Sequence, residues 1–331
     1  MAAPSLDVVG IGNAIVDVIA QADDAFLTRQ GLAKGSMQLI DAARAEALYA
    51  EMGSALEMSG GSAGNTMAGL ASLGGAGAYI GKVSEDLLGR VFAHDMRATG
   101  VRFDTAPLAA GPPTARSLIL VTPDAQRTMN TFLGACVELG PEDIAPALIT
   151  SAQVTYLEGY LFDPPRAKAA FQKAAELAHG AGRKVSLTLS DAFCVERYRA
   201  EFRALIEGHV DILFANEAEI TALYQTASFD EALDAVRGHC AIAALTRSEK
   251  GSVLVTRDET HPVPPVRIDR LVDTTGAGDL YAAGVLFGLT HGRGLAASGR
   301  LGSLAAAEVI GHYGARPEAS LRTLAQQAGL L

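Results

Sequence analysis

Only three cysteines, Cys136, Cys194 and Cys240, occur in 331 residues. They lie far apart and form no CxxC pair. This argues against a disulfide framework or a structural zinc site and makes a reducing cytoplasm the expected compartment. Positive charge is also scarce: 27 Lys and Arg stand against 37 Asp and Glu, a net charge of −10. A field of that sign repels phosphate backbones, so nucleic acid is not an expected partner. A local loop or a magnesium ion can still hold a small anion. No stretch reaches the roughly 18 apolar residues of a membrane span, and the Ala-rich run around Leu304–Ile310 is too short. Met1–Asp7 has no basic segment followed by an apolar block, so no secretory signal is expected.

What is present is an ordinary globular balance, with 49% hydrophobic and 19% charged residues. A chain of this size buries roughly 75% of its unfolded surface and needs no covalent staple. Its length suits two domains, or one α/β domain with an insertion. Short apolar runs end in Gly or polar turns: Val8–Gly12, Ala78–Ile80, Val154–Leu157, Val185–Leu189, Ile212–Ala215 and Ile242–Leu245. Helical patterns lie between them, at Leu87–Thr99, Pro165–His179, Glu217–Tyr224 and Phe229–Gly238. This alternation predicts an α/β fold with a doubly wound, mainly parallel sheet, whose ligands bind beyond the carboxyl ends of the strands. Val101–Gly134 breaks the rhythm with a hairpin-like pattern, Ala115–Thr122 and Arg127–Leu133 around Pro123-Asp124, and Asp17–Ile40 is short and turn-rich. Both segments predict a small antiparallel β lid. The expected division is a core of residues 1–13, 41–100 and 134–331, and a lid of 14–40 and 101–133.

Five loops carry candidate chemistry. In Asp273-Thr274-Thr275-Gly276-Ala277-Gly278-Asp279, small residues at 276–278 leave backbone N–H groups uncovered at a helix start. Such a helix start attracts anions. Asp279 either matches the helix dipole or takes a proton from a substrate hydroxyl. Ser59-Gly60-Gly61-Ser62-Ala63-Gly64-Asn65 permits close backbone approach, and Asn65 offers both donor and acceptor. Asn13 and Asp17 can grip a diol, or sit in a solvated turn. Asn216 and Glu219 have the spacing of a capping box, which is compatible with Glu219 acting on Mg²⁺ through water. Thr246–Ser252 is a turn after a strand, suited to phosphates or to a plain hairpin. Two near-motifs fail. Gly81-Lys82 lacks the rest of a P-loop, with Ala76 and Val83 at the tested positions, and Gly10-Ile11-Gly12-Asn13-Ala14-Ile15 lacks the third Gly of a dinucleotide fingerprint.

Taken in order, these loops resemble the ribokinase-like (PfkB) family of carbohydrate and nucleoside kinases, over nearly the whole chain. Asn13 and Asp17 in GNxxxD spacing, and Gly60-Gly61-Ser62 followed by Asn65, make the closer likeness one to its adenosine kinases. The resemblance implies a ribokinase-like α/β core with a small β-sheet lid. It implies Asp279 as catalytic base, with the amides of Gly276, Ala277 and Gly278 as anion hole and Arg127 on the lid balancing the phosphate charge. It places the nucleoside at Asn13, Ile15, Asp17, Gly60, Gly61, Ser62, Asn65 and Tyr160 or Leu161. ATP falls to Asn216, Thr246, Lys250, Gly251, Thr275 and Ala306, with Glu219 toward Mg²⁺. The nucleotide loop departs from TxGxxG at Ser248. By the same resemblance, the carbonyls of Asp273 and Thr275 could hold a monovalent cation such as K⁺, as in some relatives.

The expected activity is phosphorylation of a nucleoside 5′-hydroxyl, adenosine first, by a cytoplasmic monomer or homodimer. A sugar kinase acting on ribose or fructose, and a guanosine or inosine kinase, are the alternatives among kinases. The 13–17 and 60–65 loops contain no Lys or Arg, which favours a neutral acceptor over a phosphorylated one. A non-catalytic nucleoside or sugar sensor has no use for Asp279, and a dinucleotide oxidoreductase rests only on the failed fingerprint at Gly10.

Overall fold

A computed structural model describes residues 3–124, 126–162 and 164–331. Met1 and Ala2, at the head of the segment read for a secretory signal, lie outside the described residues. The strands among those described are β1 (Leu6–Ile11), β2 (Ile15–Gln21), β3 (Met37–Leu39), β4 (Ala55–Ser59), β5 (Gly77–Ile80), β6 (Arg102–Phe103) and β7 (Ala115–Val121), followed by β8 (Arg127–Phe132), β9 (Ala152–Glu158), β10 (Lys184–Thr188), β11 (Ile212–Asn216), β12 (Ile242–Thr246), β13 (Ser252–Val255) and β14 (Thr260–Val263).

Nine strands form one sheet in the order β14-β13-β12-β11-β10-β9-β1-β5-β6. The run from β12 to β6 is parallel, and only the β13 and β14 pairings are antiparallel. Its central strands are covered on both faces, which explains why they read as continuous apolar runs. Val8, Tyr79, Tyr156 and Phe214 point to one buried cluster, while Val9, Ile11, Leu157 and Leu213 point to the other. The strand order reverses between β1 and β9. In open α/β sheets that reversal is where ligands bind, and Asn13 follows β1 while Gly159 and Tyr160 follow β9.

The remaining strands form a five-stranded sheet, β3-β8-β7-β2-β4. It is mixed rather than antiparallel, which corrects the expectation for the lid: β2 pairs with β7, and β3 with β8, in parallel. Each parallel pair is joined by a long excursion, residues 22–114 for β2 and β7 and 40–126 for β3 and β8, that passes through β5 and β6 of the large sheet. Ala55–Ser59, in a stretch expected to belong to the core, pairs along β2 instead. One face of the small sheet is sealed: Val16, Val18, Leu118 and Leu120 share a buried cluster with Leu27 and Leu48. The other face looks toward the large sheet.

Two helices bring the site together. Ser62–Leu73 and Ala277–Thr290 pack where Gly69 meets Leu280, so closely that a Cβ on Gly69 would lie 2.5 Å from Leu280 Cδ1. That contact sets the two helix N-termini side by side. No helix among the described residues is long and apolar enough to cross a membrane.

Candidate active site

At those paired N-termini, Ser62 Oγ donates to Asp279 Oδ1 at 2.6 Å and Asn65 Nδ2 donates to Oδ2 at 3.1 Å. Both residues, expected at the nucleoside, thus hold the candidate base. Burial pushes Asp279 up to about 6, against the lowering effect of these two hydrogen bonds. Gly276 caps its helix with φ 80°, in the left-handed region. The Ala277 amide donates to Thr274 O at 3.2 Å. The amides of Gly278 and Asp279 fall in the first turn, where a helix provides no internal acceptor.

Asp17 reaches the same cleft from the small sheet. It stands against Gly60, where a Cβ would come within 2.4 Å of its Oδ2. Burial raises Asp17 to about 6; Arg127 and Arg316 oppose that rise, and Asp279 adds to it. Asn13 is held from behind: Glu158 Oε1 accepts from its Nδ2 at 2.7 Å and from its amide at 3.3 Å, while Oε2 accepts from the Ala63 amide at 2.8 Å. Asn13 therefore keeps Oδ1 free as an acceptor, along with the second N–H of its amide. Glu158 is 1% exposed, and burial raises it to about 7. Sequence reasoning missed Glu158, although its signal was there: an acid closing an apolar strand immediately before Gly159.

Arg127 does not stand free over the cleft. Its guanidinium pairs with Asp273 across the two sheets, both side chains being less than 10% exposed. Asp273 also accepts from the Thr275 amide and hydroxyl, at 3.0 and 2.7 Å, and from the Gly314 amide at 3.2 Å. Burial acts to raise Asp273, but these donors and Arg127 hold it below the usual carboxylate range.

Residues of alternating pitch share a sheet face, and register extends the Arg127 face across the small sheet. Met129 and Thr131 lie beside Arg127, Met37 pairs with Met129, and Leu39 with Thr131. Asp17 joins the row through Ser117, and Ile19 through Ile119. Met37 and Leu39 are 54% and 58% exposed. This apolar plate on the cleft side was not read from the sequence, because β3 is three residues long. Ile15 opens β2 and is partly buried.

A second cavity, of about 560 Å³, opens beyond the carboxyl ends of β11 and β12 and is lined by Asn216, Glu217, Thr246, Ser248 and Phe229 among others. Lys250, Gly251, Thr275 and Ala306 are not among its lining residues. Lys250 lies 3.8 Å from Glu217, and Ala306 packs on the core in the Leu295–Val309 helix. Ser248 takes φ 51°, so the loop keeps a left-handed residue where Gly was expected. Asn216 and Glu219 complete a reciprocal cap: Asn216 Nδ2 and amide donate to Glu219 at 2.6 and 2.9 Å, and the Glu219 amide donates back to Asn216 Oδ1 at 2.8 Å. Burial raises Glu219 to about 7. Its carboxylate is thus engaged in the helix cap, and among the described residues no three His, Cys, Asp or Glu side chains gather as a metal cage. Tyr160 lies between the two sites. Burial raises its hydroxyl, and Asp191, Asp279 and Glu219 all add to the rise. Lys82, of the failed P-loop, is buried against Asp143 at 2.6 Å.

The chain is similar over nearly its whole length to proteins of known structure. A solved adenosine kinase from Sinorhizobium meliloti is 58% identical, superposes with a TM-score of 0.91 and covers 98% of this chain and 99% of its own. A structure described as a probable sugar kinase from Rhizobium etli is 55% identical, with a TM-score of 0.93 and coverage of 99% and 100%. Adenosine kinase of Saccharomyces cerevisiae is 27% identical over 92% of this chain and 94% of its own length. The model of the pfkB family carbohydrate kinases matches residues 35–322. The chain therefore belongs to the pfkB family, has its ribokinase-like fold, and is a phosphotransferase acting on a hydroxyl group of a small molecule with ATP as co-substrate.

Proposed function

We propose that the chain transfers the γ-phosphoryl group of ATP to the 5′-hydroxyl of a nucleoside, adenosine above all, giving AMP and ADP. The observation that carries this reading is the apolar plate of Met37, Leu39 and Met129 on the cleft face, in register with Asp17. A purine needs such a wall beside a clamp for its ribose; a free sugar leaves the wall wet. The names of the Sinorhizobium and Saccharomyces relatives support the same acceptor.

In this reading Asp17 and Asn13 Oδ1 accept hydrogen bonds from the ribose 2′- and 3′-hydroxyls. Asp279 takes the proton of the 5′-hydroxyl as that oxygen attacks the γ-phosphorus. The first-turn amides at 276–279 stabilise charge on the transferring oxygens, since phosphoryl transfer depends on positioning and electrostatics. Bound with the nucleotide, magnesium would neutralise further charge on the phosphates. Glu219 fits an outer position, through water, because Asn216 already occupies its oxygens. Carbonyls of Asp273 and Thr275 would hold a monovalent cation, and exchange of K⁺ for tetramethylammonium in the assay tests that part. Closure of the small sheet as a lid excludes water from ATP. A cytoplasmic role in purine salvage, by a monomer or homodimer, completes the reading.

The test is ADP release from ATP·Mg²⁺ with adenosine, inosine, guanosine, ribose and fructose in turn. Turnover on adenosine that is lost in Asp279→Asn supports both acceptor and base. Turnover on ribose or fructose alone keeps the phosphoryl machinery and assigns the chain to sugars, as the name of the Rhizobium relative suggests.

A further inference from the structure

The turn Gly314-Ala315-Arg316 touches each part of the acceptor site. The Gly314 amide binds Asp273, and Ala315 stands against Gly276, where a Cβ would lie 2.8 Å from the Ala315 Cα. Arg316 reaches further. Its Nε donates to Asn65 Oδ1 at 3.4 Å, and its Nη2 lies 3.4 Å from Met96 Sδ. Burial lowers the Arg316 pKa, while Asp17 and Asp95 favour its charged form. Arg316 forms no ion pair among the described residues, so its charge is not consumed by a carboxylate.

The Asn65 amide is therefore held at both ends. Its oxygen faces the Arg316 cation and its nitrogen faces the Asp279 carboxylate. A cation on the acceptor end polarises the amide and strengthens the bond made by its donor end. We propose that Arg316 is a positioning residue for phosphoryl transfer: it clamps Asn65, and through Asn65 fixes the Asp279 carboxylate against the acceptor hydroxyl. Among the described residues the Asp279 carboxylate otherwise accepts a side-chain hydrogen bond only from Ser62, so loss of the clamp lets it rotate away from the attacking oxygen. The proposal rests on Asp279 being the base.

A double-mutant cycle tests it, with kcat and both KM values measured for Arg316→Gln, Asn65→Ala and their combination. Arg316→Gln is expected to lower kcat about tenfold, a coupling typical of contacting groups, with both KM values little changed. In the Asn65→Ala background the same substitution should change kcat less than about twofold. Equal losses in both backgrounds, or a loss seen in KM alone, would overturn the proposal. If Arg316→Gln does not fold, Arg316→Lys, which keeps the charge and loses the fixed Nε donor, runs the same cycle. Asp279→Asn measured alongside separates the two levels: near-normal turnover there removes the base assignment, whereas inactivity with an additive cycle removes only the role of Arg316.

Discussion

The Ser62 hydroxyl donates to the Asp279 carboxylate at 2.6 Å, joining the first turns of two helices that lie 217 residues apart in the chain. Losing a general base costs about 10²–10⁴-fold, so Asp279→Asn should lose at least that much kcat in the ADP-release assay. Ser62→Ala keeps the base and removes a bond that lowers its pKa. The acid limb of kcat/KM, set near 6 by Asp279, should then move to higher pH. A limb that stays in place would mean that another group sets it.

Breaking the Arg127–Asp273 pair from its two sides should have unequal cost. Removing one partner of a buried pair typically costs about 3–5 kcal/mol. After Arg127→Met, Asp273 keeps its donors on Thr275 and Gly314. After Asp273→Leu, Arg127 keeps a charge whose Nε already lacks a partner. Melting temperatures should therefore fall further for Asp273→Leu; the reverse order would show that the pair is not buried as described.

Stability and turnover should respond to pH in opposite directions. Asp17 and Asp279 sit near 6, and Glu158 and Glu219 near 7, all raised by burial above the ordinary carboxyl value. Each binds its proton more tightly folded than unfolded. Its contribution to stability is complete below the unfolded pKa and fades as pH rises through 6 to 7. The ligand-free protein should melt at lower temperature at pH 8 than at pH 5.5, while turnover, with Asp279 as the proposed base, should rise over the same range. Glu158→Gln should flatten the melting profile. Parallel profiles for melting and turnover would contradict the burial of these groups.

Leu39→Ala tests the apolar plate. Burying a leucine against a ligand is worth about 1.5–3 kcal/mol, so the nucleoside KM should rise roughly tenfold to a hundredfold with the KM for ATP unchanged. An unchanged nucleoside KM would move the base to another wall.

Much of the frame was legible from residues alone. The buried parallel strands announced themselves as apolar runs, and Asp279 stood out because a carboxylate followed three small residues at a helix start. What escaped was set by contacts across the chain. The small sheet is mixed because its parallel partners are joined through the large sheet, and no local pattern encodes which neighbour a strand pairs with. Arg127 looked available for phosphate because its partner Asp273 is 146 residues away. Ser62 and Asn65 looked like ligand contacts because the pairing of their helix with Ala277–Thr290 depends on Gly69, whose role appears only once Leu280 is placed against it. Arg316, in a turn with no motif around it, carried no signal at all.

Only Gly12–Ala14 separates β1, in the large sheet, from β2, in the small one. Asp279 and its helix start stand on the large-sheet side of the cleft; the apolar plate and Asp17 belong to the small sheet. On the proposed reading, the base on one side and the apolar plate on the other are held in register by a junction of three residues, so a substitution confined to the small sheet should alter acceptor preference while leaving Asp279 and its helix start in place.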